Sequence, residues 1–468
     1  LPENVVLWTR LAPDVPAGGG LPPVPVPVQW EVAHDERFTR VVRSSVAWAR
    51  PDEAHSLHVE VDRLEPERWY FYRFRQGGFA SPVGRTRTAP RTDAAPERLR
   101  FAVCSCAHWE QGWFTAYRDA ARSDLDLCLH VGDYIYEASW GRDKVRHYPD
   151  ASEVVTLEDY RARYALYRTD PDLQAAHAAC PWLVTWDDHE VDNDYAGELS
   201  QDGHPRDWFM ARRAAAYQAY YEHMPLRRSQ VPLAGHASLY ARQGFGRLAW
   251  VFVADGRQYR SQAPCNEPGF TSGREIDEPC PGLEDPQRSL LGAQQEAWLQ
   301  RQFWRGGVTW NVLAQPNMVA PIDRRPGPGT RLWTDGWDGY PAARRRLLEQ
   351  LAGADNPIVV GGDVHSFWVS DLHRVPEQPD SPVVAAEFVG TSVTAASGRS
   401  NAAVEGLRSE NPHVRYCEAE HRGYLRMELR PGEARAELRA VDDVRDPRSA
   451  VRTLAAFTVE AGRRGVRP

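Results

Sequence analysis

Four short apolar runs, far apart along the chain, each end in residues able to hold a metal ion. That repetition constrains the fold more than any other feature. The runs are Leu99–Cys104, Leu125–Val131, Trp182–Trp186 and Ile358–Val360. They lead into Ser105–Cys106–Ala107–His108, Gly132–Asp133–Tyr134–Ile135–Tyr136–Glu137, Asp187–Asp188–His189–Glu190–Val191–Asp192–Asn193–Asp194, and Gly361–Gly362–Asp363–Val364–His365, in that order. Near-continuous apolar runs of this length read as buried parallel strands. Gly112–Ser123 has helical spacing and joins the first two runs into a strand–helix–strand unit. Parallel sheets bind ligands beyond the carboxyl ends of their strands, where all four segments lie.

Each segment has its own chemistry. Cys106 can supply a thiolate, although a cysteine closing a strand is otherwise a core or disulfide residue. Gly132 permits a tight turn before Asp133, and Tyr136 can swing to the same side as that carboxylate. The third segment holds five carboxylates and a histidine within eight residues, which repel unless a cation compensates them. It is neither a zincin helix, since position 193 is Asn, nor an EF-hand. Asp363 and His365, two apart, face one way if the backbone there is extended. Two cations about 3.5–4 Å apart among such donors suit in-line displacement at phosphorus.

The 468 residues exceed one ordinary domain, and 42% hydrophobic content supports real cores. Residues 1–93 read as all-β, with strands at Val5–Leu11, Val26–Val32, Val41–Ala49, Leu57–Val61 and Trp69–Phe74. Pro13, Pro16, Gly18–Gly20 and Pro22–Pro23 punctuate them. A β-sandwich without ligand clusters is expected there. Ala89–Pro96 is the linker, and residues 98–468 form the second domain. Further helices are expected at Trp208–His223 and Leu290–Phe303, with later strands including Leu248–Val253, Val308–Leu313 and Tyr424–Leu429. Long polar loops are expected near 137–158 and 261–285. The tail from Asp446 reads as a short strand and a frayed end.

The net charge of −8 argues against nucleic acid as a partner. No apolar run reaches the ~18–20 residues of a membrane span. Cys265 and Cys280, in proline-rich loop sequence, read as a disulfide and hence an oxidising compartment. The abrupt start at Leu1 looks like a trimmed, exported form.

In order, the segments VVLWTRLAP, SCAHWEQG, LHVGDYIYE, TWDDHEVDNDY, GGDVHSFW and EFVGTS resemble the signatures of the alkaline phosphatase D family of metallophosphoesterases, along nearly the whole chain. The resemblance implies an α/β fold. Its calcineurin-like core has two β-sheets flanked by helices and comes after a fibronectin- or immunoglobulin-like sandwich. It implies Fe(3+) held by Cys106, Asp133, Tyr136 and His365, and one or two Ca(2+) with Asp133 bridging and Asp188 and Asp363 completing that side. Cys104 competes with Cys106 for the thiolate position. One thiolate ligand leaves six cysteines for up to three disulfides. His189 aligns with a phosphate-contacting, proton-donating histidine, and Asn193 with the pocket wall. The implied protein is a secreted monomer that hydrolyses phosphate esters through a metal-bound hydroxide. The alternative is a phospholipase D-type phosphodiesterase in transient contact with lipid. It is not the common phospholipase D type, whose H-x-K pattern fails here because Arg142 precedes Lys144 by two. A non-catalytic surface binding protein is a third reading, which the four donor segments oppose.

Overall fold

In the first ninety residues the five expected strands form, because small β-branched and aromatic residues alternate there with polar ones. This computed structural model describes residues 1–15, 19–303, 306–378 and 380–467. Pro16 and Gly18 of the expected punctuation, and Pro468 of the tail, lie outside the described residues. Val5–Arg10 pairs antiparallel with Ser56–Val61. Val41–Ala49, Val26–Ala33 and Trp69–Gln76 form a second antiparallel sheet, extended by Phe79–Ala80 and Gly84–Arg87. The two share one apolar cluster containing Leu7, Val28, Val32, Val59, Tyr70 and Phe74. Just before strand Trp69–Gln76 is reached, the chain is tied down: the Tyr70 hydroxyl accepts the Glu65 N–H at 2.8 Å.

The rest of the chain builds two large sheets around a common core. In the first, Trp182–Thr185, Leu127–Val131 and Leu99–Cys104 run parallel, followed by antiparallel Arg422–Leu429, Glu433–Val441 and Val451–Glu460. In the second, Ala249–Val253, Trp310–Ala314, Pro357–Gly361 and Val383–Val389 run parallel. Ala241–Phe245, Phe367–His373 and Val414–Glu418 add antiparallel strands. Phe101, Leu129 and Val131 of one sheet meet Val251, Val312 and Val360 of the other in one buried cluster.

Helices cover the outer faces. Thr115–Arg122, Leu157–Tyr167, Pro171–Ala179 and Arg206–His223 contribute to an aromatic-rich cluster on the first sheet. Ala293–Phe303 and Pro341–Ala352 cover the second. This is a mixed α/β fold. No helix among the described residues is long and apolar enough to cross a membrane.

Three expectations need correction. The tail is not a short strand with a frayed end: Val451–Glu460 is a full edge strand, and Thr458 pairs back with Arg467. Its apolar residues Leu454, Phe457 and Val459 pack into the inter-sheet core, which holds the segment in place. In place of up to three disulfides, one forms among the described residues, Cys265–Cys280. Cys104, Cys106, Cys128, Cys180 and Cys417 are free and buried. The first, third and fourth lie inside the aromatic core, where a small apolar side chain is needed and no crosslink is. Finally, four helices stand where the sequence reading places none: Leu157–Tyr167, Pro171–Ala179, Pro341–Ala352 and Asn401–Gly406. Leu157–Tyr167 starts at a Thr156–Asp159 capping box, and Pro171–Ala179 starts from an Asp170 N-cap with proline in its first turn.

Candidate metal centre

The four strand ends converge on one rim. The Cys106 N–H donates to the Gly132 carbonyl at 3.2 Å and the Ala107 N–H to the Asp133 carbonyl at 2.9 Å, tying the first two loops together. Gly132 has φ 110° and its α-carbon abuts Asp187, whose Cβ would lie 2.5 Å from any added Cβ. Both conformation and space demand glycine there. Cys106, Asp133, Asp363 and His365 all sit at positive φ, between 53° and 68°. The extended backbone expected for Asp363 and His365 is therefore wrong. Left-handed turns aim them, a strain that proteins concentrate at working sites.

On one side of the rim, donor atoms of Cys106, Asp133 and His365 all lie within 4.8 Å of one another. The Tyr136 hydroxyl joins them, donating to Asp133 Oδ2 at 3.1 Å and standing 3.0 Å from His365 Nε2. His365 Nδ1 lies 3.2 Å from the Ala396 carbonyl, the arrangement in which Nδ1–H donates there and Nε2 offers its lone pair inward. Cys104, the competing thiol, belongs to the aromatic core instead.

On the other side, Asp133, Asp188 and His189 form a second close group, and Asp188, Asp194 and Asp335 a third. Asp363 belongs to neither. Its Oδ2 accepts from Asn317 Nδ2 at 2.9 Å. Asn193, expected at the pocket wall, donates its side-chain amide to Gln201 at 2.7 Å and its backbone N–H to Glu137. His189 Nδ1 lies 2.7 Å from Glu137 Oε2.

Residues not singled out from the sequence brace this side. Glu190 accepts backbone N–H groups of Asp133, Tyr134 and Asp187 at 3.0, 2.5 and 2.8 Å. Arg257 is fully buried. It contacts Asp187 at 2.6 Å and Asp188 at 3.4 Å, and forms a fork on Asp335 at 2.9 and 2.7 Å. Arg260 reaches Asp335 at 2.9 Å and Asn317 Oδ1 at 2.5 Å. Arg257 and Asn317 come just after the apolar strands Ala249–Val253 and Trp310–Ala314, so the strand-end rule would have found them. Asp335 stands after only a two-residue strand and carries no such signal.

The electrostatics test whether cations fit. Burial pushes the Asp133 carboxyl well above the usual range, and neighbouring Asp188 adds to this although His189 opposes it. Asp363 rises to about 7 through burial with Asp188 and Asp335 beside it, and Asp187 to about 7 through burial against the pull of Arg257. Burial and Asp133 push the Cys106 thiol well up. Burial, Arg422 and His189 bring His365 down to about 3. Asp188 goes the other way, because Arg257 and His189 outweigh its burial. Asp133 Oδ1 and Asp188 Oδ1 are buried without any hydrogen-bond partner. Two orphaned carboxylate oxygens beside thiol, phenol and imidazole donors are what a cation pair would satisfy.

Comparisons with known proteins point the same way. The family model for the PhoD-like phosphatase matches residues 101–438, and that for the PhoD-like phosphatase N-terminal domain matches residues 1–90. The chain is 42% identical, over 478 aligned residues, to alkaline phosphatase D of Bacillus subtilis (strain 168), covering 100% of this chain and 80% of that protein. A solved structure of PhoD superposes with a TM-score of 0.94 at 43% identity, covering 100% of this chain and 90% of that one.

Proposed function

The chain belongs to the PhoD-like phosphatase family, and from that premise we propose that it hydrolyses phosphate esters at the strand-end rim with Fe(3+) and one or two Ca(2+). Cys106, Asp133, Tyr136 and His365 would hold the iron. Asp133 would bridge to calcium, with Asp188 and Asp363 on that side. The observation that carries this reading is the pair of buried, unpartnered oxygens on Asp133, which the first and second donor groups share, and on Asp188, which the second and third share. Thiolate, phenolate, imidazole and carboxylate suit iron, whereas a carboxylate-only group suits calcium. When bound, such ions lower the pKa of coordinated water and neutralise charge developing at phosphorus.

The chain's own residues have separate tasks. His189 is held protonated by Glu137, Asp188 and Asp133 against its burial, so it can donate a proton from Nε2 to the departing oxygen. Glu137 orients that ring through Nδ1 and steadies the next loop through the Asn193 N–H. Arg257 pairs with Asp187, Asp188 and Asp335 and fixes their positions. Trp140 stands edge-on to the Tyr136 ring and tilted against His189 and His365, so an indole borders the rim on one side.

We read the layered two-sheet unit, residues 98–468, as a calcineurin-like catalytic domain, and residues 1–93 as a sandwich domain. The Cys265–Cys280 bridge supports export to an oxidising compartment. A diesterase reading, including phospholipase D-type chemistry, is the alternative. Val451–Glu460 is committed to the edge of the first sheet and is not a cover for the rim. Hydrolysis of a phosphate monoester and of phosphatidylcholine, measured side by side before and after chelation, tests both readings. Loss of both activities on chelation, with recovery on adding iron and calcium, is expected. Undiminished hydrolysis by demetallated protein would refute the metal assignment.

A further inference from the structure

A cleft of about 930 Å³ lies between the N-terminal sheets and the edge strands Trp182–Thr185 and Ala241–Phe245 of the two large sheets. None of the candidate metal ligands lines it. Trp8 and Tyr72 stand on the N-terminal wall, and Trp182 and Leu183 on the other. Arg168, the residue closing helix Leu157–Tyr167, reaches into this space.

Arg168 has an unusual environment. Its Nη2 donates to the His223 carbonyl and lies 3.9 Å from Met224 Sδ. The guanidinium covers the Trp8 ring, 4.4 Å from its centre. Its Nε is buried without a partner, and no carboxylate among the described residues pairs with it. A guanidinium stays charged in a protein, and a desolvated charge lacking a counter-ion is costly. The acids that line the cleft do not supply one. Asp126 pairs with Arg87 and accepts the Arg100 N–H at 2.9 Å, and Glu67 lies 3.6 Å from Arg87. The cleft therefore combines apolar and aromatic walls with the Arg168 guanidinium, which has no carboxylate partner among the described residues, and Arg85, Arg98 and Arg227 also line it.

We propose that this cleft is a second binding site, separate from the rim, for a small amphiphilic anion. Arg168 pairs the acidic head, and the apolar chain lies between Trp8 and the Trp182–Leu183 wall. The shared chemistry is a single-chain carboxylate or phosphoryl anion, from a free fatty acid or from a phospholipid fragment. A site of this kind would retain lipid-derived anions near the enzyme whatever ester the rim hydrolyses.

The test uses the whole protein with three probes below their micellar concentrations: decanoate, decylphosphonate and uncharged decanol. Binding is read by tryptophan fluorescence and by thermal shift. Saturable binding of the anions is expected, and the tighter of the two identifies the source. Arg168→Gln should weaken it by about tenfold or more, and Ala178→Trp, filling the cleft from the end of helix Pro171–Ala179, should abolish it. Ester hydrolysis should be unchanged in both variants. Decanol binding as tightly as decanoate, anion binding that survives Ala178→Trp, or equal affinity in a folded Arg168→Gln protein would each overturn the proposal. Should Arg168→Gln fail to fold, Ala178→Trp and the decanol comparison decide it alone.

Discussion

The two halves of the rim solve the same electrostatic problem differently. On the acidic half, the fold supplies its own cation: Arg257 touches Asp187, Asp188 and Asp335, and Arg260 adds a second guanidinium. On the mixed half, where Cys106, Asp133, Tyr136 and His365 meet, no guanidinium among the described residues bonds to a donor atom. Arg422, close by, is spent on the carbonyls of His365, Ala395 and Ala419. An internal arginine can hold carboxylates in position before any ion arrives. Donors without one depend on the ion itself. The acidic half should therefore matter most to folding and the mixed half most to metal retention.

Removing Arg257 should break the acidic half outright. Arg257→Leu leaves buried carboxylates uncompensated and should destabilise the protein by about 3–5 kcal/mol in denaturant titrations. A loss under about 1 kcal/mol would show that bound cations alone hold that half together. His189→Asn sits between the halves and should cost less stability than Arg257→Leu, because a side-chain amide can still donate to Glu137, while lowering kcat by about 10²- to 10⁴-fold, read in steady-state assays. A matching fall in stability would make His189 a structural residue instead.

The disulfide sharpens the contrast further. Cys265 and Cys280 are separated by 15 residues, and the loop between them delivers the Gly273 N–H to Asp194 at 2.7 Å. Reduction should cost about 3 kcal/mol and weaken calcium binding, leaving iron in place. Iron lost in step with calcium would mean the halves are not separable.

The smallest effect lies beneath both halves. His130, on strand Leu127–Val131, is buried against Tyr117, and burial, with help from Arg168, lowers it to about 3. The unfolded chain binds a proton near pH 6.5 that the native state refuses, so stability is complete above that pH and falls as pH drops. Between pH 7.5 and 5 the loss from this residue is about 2 kcal/mol, and His130→Gln should remove it from the pH profile of unfolding. An unaltered profile would place the acid sensitivity elsewhere.

Much of this was legible in the sequence because strand ends are local. Val103–Cys104–Ser105–Cys106 and Val131–Gly132–Asp133 carry both the apolar run and the donor in a few residues, and the N-terminal strands show their alternation directly. Other parts depend on distant partners. Asp335 becomes part of the rim only because Arg257 and Arg260 reach it across the fold. The free cysteines mislead a sequence reading because pairing depends on spatial neighbours, and Cys180 and Cys128 are packed among aromatic rings. Left-handed turns at Asp363 and His365 were also hidden, since neither residue type announces positive φ as glycine does.

The claim that sulfur, phenolate, carboxylate and imidazole share one ion is tested most directly by metal analysis with a visible spectrum of the purified protein and its Tyr136→Phe variant. Bound iron and a visible tyrosinate band are predicted for the native protein, with loss of that band in the variant while calcium stays bound. Iron-free, colourless native protein, or a band that survives Tyr136→Phe, would contradict it.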